Sequence, residues 1–128
     1  MKSDLRTTVV LPMALVVLTG CSWLSKTPPP TTSDGILVGP SGMTLYTFDK
    51  DEINSGRSTC VGSCSVNWPP FTATVLDSAS GEYSIIVRDD GRRQWAYRGK
   101  PVYFWFKDSK PGDKSGDGFG NAWRVAKL

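Results

Sequence analysis

Two kinds of side chain in this sequence could do chemistry. Cys60 and Cys64 stand four apart around Val61-Gly62-Ser63 and could close a disulfide, exchange electrons with other thiols, or hold a soft metal as thiolates. Tyr46 with Asp51, and Tyr103 with Asp108, are two phenol–carboxylate sets at equal spacing that could line a shared ligand site. A third candidate, Asp113-Lys114-Ser115-Gly116-Asp117-Gly118, places oxygens at alternate positions and glycine sixth, as a calcium loop does. That match fails further on, because Arg124 occupies the place of the bidentate Glu. The chain contains no histidine, which removes Ser-His-Asp triads, Cys-His pairs, His-containing zinc sites and bis-His haem together. Glycosidase chemistry would need two carboxyls about 5 Å apart, one with a raised pKa; nothing in the pattern around Asp51 and Asp108 supplies that spacing. The expectation is therefore no catalytic set, no metal site, no cofactor and no enzyme activity.

The beginning of the chain says where such cysteines would reside. Lys2 and Arg6 precede an apolar run from Val9 to Leu18, too short to span a bilayer as a helix. The run closes on Leu18-Thr19-Gly20-Cys21, which resembles a bacterial lipobox. Residues 1–20 are expected to be a lipoprotein signal peptide, and Cys21 the lipidation site, with the membrane as partner through that lipid. Ser22, rather than an acidic residue, follows the cysteine; by similarity to bacterial lipoproteins this favours the outer membrane of a cell that has one. The expected location is the bacterial cell envelope. A formal charge of +3 from evenly mixed residues gives no basic footprint for nucleic acid.

With Cys21 lipidated, Cys60 and Cys64 remain as an even pair in an oxidising compartment, which predicts a structural disulfide. A redox or copper-handling accessory role for the pair is the alternative; Met43 is the one other soft ligand downstream of Cys21.

Residues 21–34 carry three successive prolines and read as an extended tether, on the order of 40 Å long. The domain expected at 35–128 is all-β, with about seven short strands. Ile36-Leu37-Val38 stops at Gly39-Pro40. Met43 to Phe48 alternates, with Tyr46 and Phe48 on one face. Residues 49–70 are loop-like, and Thr72 to Leu76 is β-rich. A β-meander is predicted over 83–106, turned by Asp90-Gly91 and Gly99-Lys100, and Ala122 to Lys127 closes the domain as a last strand. No amphipathic helix is predicted.

Two stretches echo each other. Tyr46-x-Phe48-x-x-Asp51 and Tyr103-x-Trp105-x-x-Asp108 share one frame, each followed by a glycine-containing loop and a tryptophan, Trp68 or Trp123. The chain thus divides into two degenerate repeats, about 35–76 and 83–128, expected to pack on one another. Taken with Cys60-x-Gly62-x-Cys64, Trp68-Pro69-Pro70 and Gly116-Asp117-Gly118, the pattern resembles a family of bacterial secreted lipoprotein repeats of unknown function, described by this Tyr-x-aromatic-x-x-Asp motif. The resemblance implies an exported, tandemly repeated protein and carries no activity with it. The tyrosines and aromatics are expected as core, and the aspartates as strand-ending caps. Trp105 and Trp123 are expected inside, while Trp68 and Trp95 are open between core and surface. Two tryptophans exposed in one groove would mark a glycan- or peptidoglycan-binding module. The reading reached is a membrane-anchored envelope protein with a binding or structural role, for an envelope-protein or glycan partner that the residues do not name.

Overall fold

The computed structural model describes residues 8–14 and 26–128. Cys21 and most of the expected leader lie outside the described residues. Eight short strands carry the fold, joined by tight turns. Strands β1 (Thr31–Ser33) and β2 (Ile36–Val38) form a hairpin across Asp34-Gly35. Both turn residues have positive φ, 53° and 78°, which matches the twist of a two-residue hairpin. Residues 31–33 fall where the prolines suggested tether. They are instead paired, because the Asp34-Gly35 turn folds them back onto an apolar strand that needs a partner.

Strand β3 (Tyr46–Phe48) pairs antiparallel with the last strand, β8 (Trp123–Val125), so the motif strand of the first repeat is joined to the closing strand of the second. Strands β4 (Thr72–Ala73), β5 (Tyr83–Val87), β6 (Arg93–Tyr97) and β7 (Lys100–Pro101) make one sheet in the order β4-β6-β5, with β7 also pairing β6. The meander expected from 83 is present as far as Pro101. Beyond it, the expected strand to Phe106 breaks up: Tyr103 bridges Tyr46 on one side and Pro70 on the other. A single helical turn, α1 (Ser63–Asn67), was not expected; it is five residues long and buries none of them, so it has no apolar periodicity to read. The loop before β8 includes a 3-10 turn at Phe119–Asn121.

The interior consists of two clusters. One gathers Tyr46, Phe48, Trp68, Tyr103, Trp105 and Trp123. The other gathers Leu37, Leu45, Phe71, Trp95, Tyr97 and Val102. Strand alternation produces both: Tyr46 and Tyr103 point into the first cluster, and their neighbours Leu45 and Val102 into the second. A polar group crosses the interior as well. Gln94 is fully buried, its Nε2 donating to the Val102 carbonyl at 2.8 Å and its Oε1 accepting from Arg88 at 2.7 Å.

Candidate functional site

The two motif tyrosines meet at the centre of the fold. Tyr46 N–H donates to the Tyr103 carbonyl at 2.8 Å, and Tyr103 N–H returns the bond to Tyr46 at 2.9 Å. An approximate twofold axis thus runs between them. From that axis each phenol reaches into the other repeat. Tyr46 Oη donates to Asp108 Oδ2 at 2.6 Å, and Tyr103 Oη donates to Asp51 Oδ2 at 2.5 Å. The second oxygen of each carboxylate holds the loop that follows it. Asp51 Oδ1 accepts from Thr59 N and Thr59 Oγ1, both at 2.7 Å. Asp108 Oδ1 accepts from Ser115 N at 3.1 Å and Ser115 Oγ at 2.7 Å. The frame Tyr-x-aromatic-x-x-Asp is therefore a reciprocal clasp: its phenol binds the other repeat and its carboxylate caps its own loop.

The aromatic residues stack beside this clasp. Phe48 lies on Trp123 at 4.2 Å between ring centres, Trp123 on Trp68 at 3.8 Å, and Trp68 on Trp105 at 4.0 Å. The central pair is nearly parallel, at 2°. Tyr46 stands edge-on to Trp68 and Tyr103 edge-on to Trp123, arrangements the ring quadrupoles favour. Pro69-Pro70 and the short β8 bring the two tryptophans back to the axis, where both become buried. Trp95 is buried in the other cluster. None of the four tryptophans in the domain is exposed, so the groove expected of a glycan-binding module is absent from the described residues. Trp68 and Trp95 are core.

Electrostatics reinforce a structural reading of the phenols. Burial pushes the Tyr46 hydroxyl well above its usual range, and its bond to the Asp108 carboxylate adds to that. Tyr103 is pushed up by burial first, then by the negative charge of Asp51. Both remain protonated donors at neutral pH, unsuited to act as bases.

The first repeat adds residues that the motif did not reveal. Ser58 Oγ lies 2.7 Å from Tyr103 Oη and accepts from Arg88 Nη1 at 2.7 Å. Arg88 is almost wholly buried and also donates through Nη2 to the Cys60 carbonyl at 2.6 Å. An arginine closing the run Tyr83-Ser84-Ile85-Ile86-Val87 was the one signal available; it reads equally as a strand-ending surface charge. Cys60 and Cys64 form the predicted disulfide, with Cα atoms 5.2 Å apart. Cys60 is buried in the first cluster and Cys64 is half-buried against it. The calcium-like stretch is divided among separate turns. Asp113 Oδ2 accepts from Ser109 and the Lys110 N–H, while Asp117 Oδ1 accepts from the Val125 N–H. Asp113 and Asp117 thus serve different turns, as the turn chemistry of such residues allows.

A family model described as a secreted repeat of unknown function matches residues 30–72 and again residues 84–127. No curated protein and no solved structure matches the chain.

Proposed function

The chain belongs to that family of secreted repeats, and from this premise we propose that it is a lipid-anchored envelope protein whose domain acts by presenting surface, without catalysis. One observation carries the reading. The titratable set common to both repeats, Tyr46–Asp108 and Tyr103–Asp51, is turned inward and spent on joining the halves. A catalytic carboxylate must meet its substrate, whereas Asp51 is only 1% exposed. The anchor is Cys21, which follows small residues and an apolar run in the order that lipid attachment requires. With the tryptophans buried, the partner this reading keeps is another component of the envelope rather than a glycan held in an aromatic groove.

Metabolic labelling with an alkyne fatty acid tests the anchor. The wild-type chain incorporates label and partitions with membranes; Cys21→Ser does neither. Equal labelling of both proteins would end the anchored reading.

A redox role for Cys60 and Cys64 has one observation in its favour. Cys64 is partly accessible, so a partner thiolate could attack it and release Cys60. Thiol titration of the exported protein separates the two readings. A disulfide that persists under mild dithiol treatment counts for structure, and rapid exchange counts for redox.

A further inference from the structure

We propose that the loop between the two repeats and the segment entering the first repeat together form a bilayer-docking face that receives anionic phosphate headgroups. The inference rests on the anchor at Cys21 proposed above. Its starting point is chain length. A tether free through residue 34 would let the domain float well clear of the membrane. Residues 31–33 are instead bound in β1, and Pro30 ahead of them is buried. Lys26 to Pro29 run along the domain beside Ser78, Ser80 and Trp95. Only the five residue steps from Cys21 to Lys26 then separate the lipid from the domain surface, a span of at most about 18 Å when fully extended. The side of the domain where Lys26 lies must face the bilayer at close range.

That side is built for a headgroup layer. The inter-repeat loop makes a tight turn in which Asp77 Oδ2 accepts the Thr74 N–H at 2.6 Å and Thr74 Oγ1 accepts the Leu76 N–H at 3.2 Å. Arg93 ties the base of the turn, donating to the carbonyls of Thr74 and Asp77. The turn thrusts Val75 and Leu76 outward, 70% and 50% exposed. A pair of apolar side chains at the tip of a rigid turn is the kind of contact that enters an interface.

Between this loop and the entering segment lies a cavity of about 500 Å³. Its walls offer the Lys26 ammonium and the hydroxyls of Thr27, Ser78 and Ser80, and no carboxylate lines it. Trp95 also lines it, and the indole N–H of that residue is buried without a hydrogen-bond partner in the described structure. The one acidic residue in the turn, Asp77, is buried, with Oδ2 accepting from Thr74 and Oδ1 left without a partner in the described structure, and it does not line the cavity; Glu82 beyond it is paired with Arg98 at 2.9 Å. A donor-rich, carboxylate-free hollow beside an apolar tip matches a phosphate over an acyl layer.

The test uses the full chain, isolated from membranes and reconstituted into vesicles of phosphatidylcholine with phosphatidylglycerol. Leu76→Cys carries an environment-sensitive dye; Val66→Cys, exposed on α1 beside the other aromatic cluster, serves as the comparison. The expected result is a blue-shifted dye at position 76, quenched by nitroxides on the acyl chains, with position 66 unquenched. Lys26→Ala should lower the docked-to-undocked ratio about fivefold on these vesicles, the factor for one lysine at an anionic surface. It should have little effect on pure phosphatidylcholine. Vesicle-bound protein with an aqueous dye at 76, or quenching at 66 instead, overturns the docking face while leaving the anchor intact. Crosslinking of position 76 to another envelope protein, with no quenching, does the same. Protein recovered in the soluble fraction with Cys21 unmodified overturns the anchor and the docking together.

Discussion

The two repeats use one clasp but set it in different surroundings. In the first, the loop after Asp51 runs Ser58-Thr59-Cys60, and all three contribute: Ser58 to the Tyr103 hydroxyl, Thr59 to Asp51, Cys60 to a disulfide and, through its carbonyl, to Arg88. In the second, the loop after Asp108 reads Ser115-Gly116. Ser115 does the work of Thr59, and the Gly116 N–H donates to Tyr46 Oη at 3.3 Å. No arginine or cysteine is among those partners. The glycine has a steric cause: a Cβ at 116 would come within 2.8 Å of the Trp68 ring and 2.9 Å of Trp105. Where the first repeat carries Phe48 in its motif, the second carries Trp105, and the larger indole takes the room that the loop side chain gives up. The difference teaches that the frame is kept by its backbone and hydrogen bonds, while volume is exchanged between strand and loop within each copy.

That contrast can be broken at its shared element first. Trp68→Ala and Trp123→Ala each remove a ring from the centre of the stack. Each should cost about 4 kcal/mol of unfolding free energy, measured by urea denaturation. The two values should agree to within about 1 kcal/mol. A mild effect at one of them would mean that the axis is not where the stability lies.

The aspartates should then show the asymmetry. Asp51→Ala takes the carboxylate acceptor from the buried Tyr103 hydroxyl, which keeps only Ser58, and releases the loop at Thr59 from a site with 1% exposure. A loss of about 3 kcal/mol is expected. Asp108 is itself half-exposed, so after Asp108→Ala water can take the place of the carboxylate beside Ser115 and the buried Tyr46 hydroxyl, and the cost should be about 1 kcal/mol. Equal losses at the two positions would show the repeats to be energetically alike despite their different linings.

How much of this was legible in the sequence depends on the reach of each interaction. The duplication, the Asp90-Gly91 turn, the strands at 83–87 and 93–97 and the Cys60–Cys64 bridge are announced by spacing or turn chemistry, whereas the hairpin at Asp34-Gly35 was hidden behind the prolines that read as tether. The aspartates were expected to end strands and cap turns; each does hold the loop that follows it, although no strand runs up to Asp108. That each would also accept the phenol of the opposite copy was not legible, because the donor and acceptor lie 52 and 62 residues apart. Trp68 and Trp95 were open for the same reason: burial is decided by what comes back to cover a residue. Strand periodicity over 101–106 over-predicted, since a strand apolar on both faces can be satisfied by two isolated bridges from Tyr103 as well as by a ladder. Arg88 was missed because an arginine beside an Asp-Asp-Gly turn looks solvated until Ser58 and Gln94 are placed around it.

The staple offers a smaller test of the comparison. Replacing both Cys60 and Cys64 by Ser should lower stability by about 2 kcal/mol, the entropy of so short a closed loop. Because α1 contains Cys64 and leads to Trp68, amide exchange should rise across 59–67 while the matching second-repeat loop, 115–121, stays protected. Exchange rising equally in both loops would mean that the bridge supports the whole axis and not its own copy.

The mildest expected effect comes from pH. The phenols of Tyr46 and Tyr103 have raised pKa values in the fold, whereas in the unfolded chain they ionise near their ordinary value of about 10. Below that value both states hold the proton and the stabilisation is fully present. Above it the unfolded chain loses protons that the fold retains, so stability falls as pH rises toward the folded-state values. Half a unit above the ordinary value, each tyrosine should account for a little under about 1 kcal/mol. Tyr103→Phe and Tyr46→Phe should each flatten that alkaline decline, at the cost of one hydrogen bond at neutral pH. The neutral-pH cost separates the copies: Tyr103→Phe leaves Asp51 and Ser58 buried with a lost partner, whereas Tyr46→Phe leaves Asp108 partly in water. The first variant should therefore be the less stable of the two at neutral pH, while their alkaline slopes match. Slopes that differ while neutral stabilities agree would reverse the assignment of the first repeat as the more deeply buried half.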